Sequence, residues 1–243
     1  LQCRLRELDA RRSMQGKIST RTSAQRPVID LPGFELLRTG DLKNGFRAVS
    51  HHLGKKFDTL GARELETVGG RISRWDGEPV STLAVVMGDG FGDGLQFARY
   101  LPAAAERCDR LIVVAWPELH GLLHQFEVYP MADFRRALLD ADYYVAPATL
   151  ASILDIGYGP AGGYLNAVDP LDLLGRNIGV CWAGNPGNET DAIRSATVDD
   201  ITPLRDCGAR VWSLMQRDDD RPDWISPPPI PLTDFAQSAR FVA

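Results

Sequence analysis

The run Leu83-Ala-Val-Val-Met87 is the feature that most restricts how this chain can fold. It is apolar throughout, so it reads as a buried strand rather than one with a wet face. It enters a loop with glycines at 88, 90, 92 and 94, and a helical pattern starts near Asp93. A strand, a Gly-rich turn and a helix start, in that order, let a ligand approach the backbone, and the helix end attracts anions. Asp89, Gly90 and Gly92 are therefore candidate ligand-facing loop residues, and Asp89 with Asp93 puts two carboxylates at the mouth of the crevice.

The elements after this unit alternate. A strand over 82–87 leads to a helix over 93–107, a strand over 110–116, and helices over 117–125 and 131–141. A strand over 143–147 and a helix over 148–155 follow. Repeated β-α-β units with Val- and Ile-rich strands argue for an α/β fold with a parallel, doubly wound, Rossmann-like sheet. Residues 156–175, rich in Gly, Tyr and Pro, read as a linker. A second unit then begins with a strand over 177–182, a turn over 183–187, a helix over 198–207, a strand over 209–215 and a helix from Asp234. Two strands are too few for an independent sheet. Ahead of all this, Phe34–Arg38 and the stripe Leu42, Phe46, Val49 and Leu53 form two short helices around a Thr39-Gly40-Asp41 turn, an αα-hairpin. The expected division is 1–80 as a helical, repeat-like segment and connector, 81–175 as a first Rossmann-like domain, and 176–243 as an incomplete second one.

Bulk properties narrow the function classes. The net charge of −5 argues against nucleic acid as a partner, because that affinity rests on basic surface. No apolar stretch reaches the roughly 18 residues that span a bilayer, so no transmembrane segment is expected. The four cysteines lie far apart and suit free thiols in a reducing, cytoplasmic setting. The chain opens without Met and closes on Phe241-Val-Ala243 inside an apolar run, so a fragment of a longer protein is expected.

Several residues could carry chemistry. The glycines miss the dinucleotide fingerprint Gly-x-Gly-x-x-Gly in both registers, with Asp93 or Leu95 at its last position, and no acidic residue ends the second strand at Trp116. Asp93 reads either as a helix N-cap or as a general base. Gly184 and Asn185, in the turn after the second unit's first strand, and Arg194 and Ser195, just before its next helix, could hold a diphosphate through exposed amides and a cation. His120 and His124 are four apart with Gly at 121 and no evident third ligand, so no metal site is expected.

The ordered blocks bring a resemblance into view. Asp-Gly-Phe-Gly-Asp-Gly-Leu-Gln-Phe-Ala-Arg-Tyr-Leu at 89–101 resembles a segment of the bacterial glycosyltransferase family 9-like domain. That family includes the ADP-heptose:lipopolysaccharide heptosyltransferases, and one subgroup fuses the domain to tetratricopeptide repeats. Ile178 to Asn188 with Asp191, Arg194 and Ser195 is similar to its second block, and Arg210 to Gln216 to the strand that follows. Leu37–Phe46 and Arg74–Glu78 look like the last repeat and the connector before the domain. The resemblance covers about 34–243. It implies a GT-B architecture in which one Rossmann-like half binds the acceptor, the other binds a nucleotide-sugar donor, and transfer in the cleft is inverting and metal-independent. Asp93 takes the place of the family's base, Arg194 that of the cation on the donor phosphates, and Gly184, Asn185 and Ser195 share the donor side. No cofactor is implied; an ADP-linked sugar would be substrate, and the acceptor a glycan or protein hydroxyl. Two departures stand out. Asp replaces the usual Glu at 89, and the family's later Asp-Thr…His donor segment is missing from the sequence, so residues 1–243 alone are expected to be inactive. The rival reading is a non-catalytic binding module whose repeat-like helical segment and Rossmann-like domain hold a protein partner.

Overall fold

A computed structural model describes residues 32–49, 72–88, 90–159, 162–165, 168–187, 191–216 and 221–242. All of them belong to one compact unit, Leu31–Ala243. Asp89, Leu53, Cys3 and Asn188 lie outside the described residues.

The first described elements are two helices, α1 (Pro32–Arg38) and α2 (42–49). Their turn follows from local chemistry. Gly40 takes φ +89°, its N–H donates to the Leu37 carbonyl and the Asp41 N–H donates to the Leu36 carbonyl. These two bonds are the Schellman closure of a helix C-terminus, which needs a residue without a β-carbon at the left-handed position. Asp41 then starts α2, its carboxylate accepting the Asn44 N–H. Glycines let the helices approach: a β-carbon on Gly45 would lie 2.7 Å from Leu37, and one on Gly33 would lie 2.8 Å from Val49. Phe46 carries the pair onto the main core, edge-on to Phe97, Tyr100 and Tyr158.

Five parallel strands form the main sheet: β1 (Ser73–Arg74), β2 (Val80–Val86), β3 (Cys108–Ala115), β4 (Glu127–Pro130) and β5 (Tyr143–Val145). Their order is β1-β5-β2-β3-β4. The 83–87 run lies at the centre, paired to β3 on one side and β5 on the other. Its side chains alternate between two cores. Leu83, Val85 and Met87 face helices α3 (Phe91–Phe97), α4 (Leu101–Ala105) and α6 (Pro147–Leu154); Ala84 and Val86 face α5 (Phe134–Leu139). The fold is thus a three-layer α/β arrangement around a parallel sheet, of Rossmann-like type.

Several boundaries differ from the sequence expectation. The helix expected over 93–107 starts two residues earlier and is broken into α3, a 3-10 turn (Ala98–Tyr100) and α4. Pro102 has no N–H to give the Ala98 carbonyl; that carbonyl accepts the Leu101 N–H in a tighter bond instead. The segment after Pro117 is a 3-10 helix (Pro117–Leu122) rather than an α-helix over 117–125. Strand β4 had no counterpart in the sequence reading. It is a short edge strand ending on Pro130, where the missing N–H costs nothing to a neighbour. Within the expected connector, Ser73–Arg74 join the sheet as β1 and Trp75 packs in the core with its indole N–H on the Glu78 carbonyl, while residues 54–71 of it lie outside the described residues.

The second unit has two parallel strands, β6 (Asn177–Val180) and β7 (Arg210–Ser213), with a bridge from Trp212 to Ser226 beyond β7. Helices α7 (Asp191–Arg194) and α8 (Val198–Ile201) lie between the strands, and α9 (Phe235–Val242) follows them. A small core of Val180, Val211 and Ile225 holds this unit together.

Candidate functional site

The sheet order locates the crevice. Strands β2, β3 and β4 run outward in one direction, and the next strand, β5, returns to the other side of β2. At such a reversal the loops leaving the carboxyl ends of the two strands part, the usual place for a ligand crevice in sheets of this type. The Gly-rich loop after β2 lies at that reversal. Gly90 is the N-cap of α3, and Gly92 stands exposed, with nothing within 4 Å of where its β-carbon would be. Gly94 has the opposite role. A β-carbon there would lie 2.8 Å from the Leu119 Cδ1, so it sets how closely α3 packs on the 117–122 turn.

Asp93 is not the N-cap. It occupies the third position of α3, with its carboxylate on the side of Gly90, 3.6 Å from where a β-carbon on that glycine would be. The residue is exposed to solvent, yet enough protein surrounds the carboxyl group that desolvation pushes its pKa above 3.8. Two influences oppose that rise, the Arg194 guanidinium and then the Gly90 N–H.

The second unit supplies that cation. The loop 183–187 leaves the carboxyl end of β6, and α7 brings Arg194 and Ser195 back to it. The Ser195 hydroxyl donates to the Asp191 carboxylate at 2.6 Å and accepts the Gly184 N–H at 2.9 Å. Asn185 closes its own turn, its side-chain oxygen accepting the Gly187 N–H at 3.0 Å. A β-carbon on Gly184 would lie 3.9 Å from Arg194 Nε. Of the four donor-side candidates, Gly184, Asn185 and Ser195 are therefore engaged within the loop, and Arg194 is the exposed charged group. Asp191, which anchors Ser195, belonged to the resembling block but not to the candidate site residues. Its i,i+4 spacing to Ser195 is the signal that could have found it.

No known protein family, curated protein or solved structure matches this chain.

The remaining candidates have local partners. His120 Nε2 lies 3.1 Å from the Ala115 carbonyl oxygen and His124 Nδ1 lies 3.0 Å from that of Gly121. Among the described residues no three His, Cys, Asp or Glu side chains gather as a metal site, and no helix is long and apolar enough to cross a membrane. Cys108, Cys181 and Cys207 are free thiols.

What the arrangement can do follows from its charges. A carboxylate with a raised pKa holds a proton more readily than an ordinary aspartate, which suits it to take one from a hydroxyl. A guanidinium nearby can neutralise an anion. The two groups come from different βα units and lie within electrostatic reach of each other.

Proposed function

We propose that this chain carries the sugar-transfer site of a glycosyltransferase family 9-like domain with GT-B architecture, one nucleotide-fold half on each side of the cleft. The observation that carries the reading is the Asp93 carboxylate, at the start of α3 and beside the sheet's reversal point, within electrostatic reach of Arg194 from the second half. The resemblance of residues 89–101 and 178–195 to that family's two blocks supports it.

In this reading the acceptor hydroxyl lies against Asp93, which takes its proton as the oxygen attacks the anomeric carbon of the donor. The bond from that carbon to the nucleoside diphosphate breaks, and the departing anion is met by Arg194. Attack from the face opposite the leaving group inverts the anomeric centre. The base needs affinity for the proton, which desolvation supplies; the leaving group needs positive charge, which a cation supplies without a metal. Asp191 and Ser195 hold the 183–187 loop so that Arg194 stands beside it. The donor is a nucleotide-sugar, ADP-linked as in the resembling family, and the acceptor a glycan or protein hydroxyl.

The test is release of nucleoside diphosphate from ADP-sugars by the natural full-length polypeptide and its Asp93→Asn variant. The expected result is loss of turnover by about two orders of magnitude or more in a variant that folds normally, the usual scale for removing a general base. Equal turnover by the two proteins refutes the role of Asp93. No turnover by either, with a biological function that survives the substitution, favours the binding module.

A further inference from the structure

Helix α9 touches both the main sheet's unit and the second unit, and does so at its two ends. At its start the Phe235 ring lies against Phe91, centroids 5.3 Å apart, and Phe91 opens the helix that carries Asp93. One residue on, Ala236 sits against Gly121, where a β-carbon would come within 2.6 Å of the alanine's own. At the far end the buried ring of Phe241 packs edge-on to Trp212 of β7, centroids 5.6 Å apart. Arg240 fixes the chain that joins the units. Its guanidinium bonds the Asp169 carboxylate at 2.8 Å and the Asp169 carbonyl at 2.9 Å, and its own carbonyl accepts the Leu171 N–H at 2.8 Å.

The described chain between α6 and β6 contains no helix or strand. A coil connection permits the two units to shift against each other; a helix does not. From Phe235 to Phe241 the helix rises about 9 Å as one stiff rod. We infer that α9 is the strut that sets the separation of Asp93 from Arg194, and that Phe235, Arg240 and Phe241 are positioning residues for that pair. The inference rests on the transfer reading only for why the separation matters. The mechanical link itself concerns the folded chain.

Gly90 belongs to the first unit, whereas Arg194 comes from the second. Loosening α9 at its far end, away from α3, weakens the influence of Arg194, and the Arg194→Gln background separates that effect from any change in burial. The experiment follows the Asp93 carboxyl carbon by NMR through an acid titration of the whole chain. It compares wild type, Phe241→Leu and Arg240→Gln, each with and without Arg194→Gln. Phe241→Leu keeps an apolar filler, and Arg240→Gln removes the half-exposed clamp if the first variant folds poorly. Each α9 variant is expected to move the Asp93 midpoint upward, by no more than Arg194→Gln does, and to add nothing once Arg194 is gone. An unmoved midpoint, or an equal rise in both backgrounds, overturns the strut. Coupling that persists while Asp93→Asn leaves ADP-sugar turnover unchanged supports the strut and removes the transfer reading.

Discussion

Gly92 and Gly94 occupy the same helix two residues apart, and the same substitution should change stability in opposite directions. Replacing either by alanine removes backbone freedom from the unfolded chain and improves helix propensity, about 0.5–1 kcal/mol in favour of folding. At Gly92 nothing opposes that gain, because the new β-carbon enters open space. At Gly94 the new β-carbon lies 2.8 Å from Leu119 Cδ1, and Leu119 is itself fully buried, so it has nowhere to swing. Restoring an ordinary carbon–carbon contact requires α3 and the 117–122 turn to part by about 1 Å, an overpacking cost of about 1–3 kcal/mol. Subtracting the propensity gain leaves Gly94→Ala destabilised by about 1 kcal/mol, and the two variants about 2 kcal/mol apart. Urea unfolding read by tryptophan fluorescence measures both midpoints, and the buried Trp75 is a suitable probe. Equal stabilisation by the two alanines would refute the close packing of α3 on that turn, and with it the placement of the Asp93 helix.

Two further outcomes follow from the site. Because the folded state raises the Asp93 pKa, the native protein holds this proton more tightly than the unfolded chain does. Its stabilising effect is complete below about 3.8 and is lost as pH rises through the raised folded value. Asp93→Asn, which carries no charge to desolvate, should therefore gain urea resistance relative to wild type near neutral pH and lose that advantage on acidification; a difference that grows toward acid contradicts the burial of the carboxyl. Ser195→Ala leaves the Gly184 N–H and the Asp191 carboxylate without their shared partner, at about 0.5–1.5 kcal/mol for each bond. Faster hydrogen exchange at the Gly184 amide reports the loss, and an unchanged rate shows that the serine does not hold the loop.

The centre of the fold was legible because burial leaves a plain mark. The run at 83–87 and the one at 111–115 are apolar on both faces, and the sheet places both inside. Edge elements carry no such mark. Glu127–Pro130 has one side on β3 and an exposed ion pair between Arg110 and Glu127, so its composition resembles a loop. Asp93 was legible as a residue at a helix start, but not its position. An N-capping glycine has no side chain to announce itself, and the aspartate three residues on looked like the cap. The neighbourhood of Asp93 and Arg194 is a property of how two distant units pack. No local pattern encodes it, and the resemblance alone put both residues in one cleft. Asn185 looked like a ligand group and closes its own turn, the ordinary behaviour of Asn before Pro-Gly.

The central strand has a consequence for how the protein is made. Leu83 pairs with Tyr143, sixty residues further along the chain. At a synthesis rate of about 5–20 residues per second, that partner emerges about 3–12 s after the strand itself. Throughout that interval a flat, uncharged, β-prone stretch waits with one edge open, the kind of segment that seeds intermolecular pairing. The nascent chain therefore exposes an edge that β5 covers in the finished molecule.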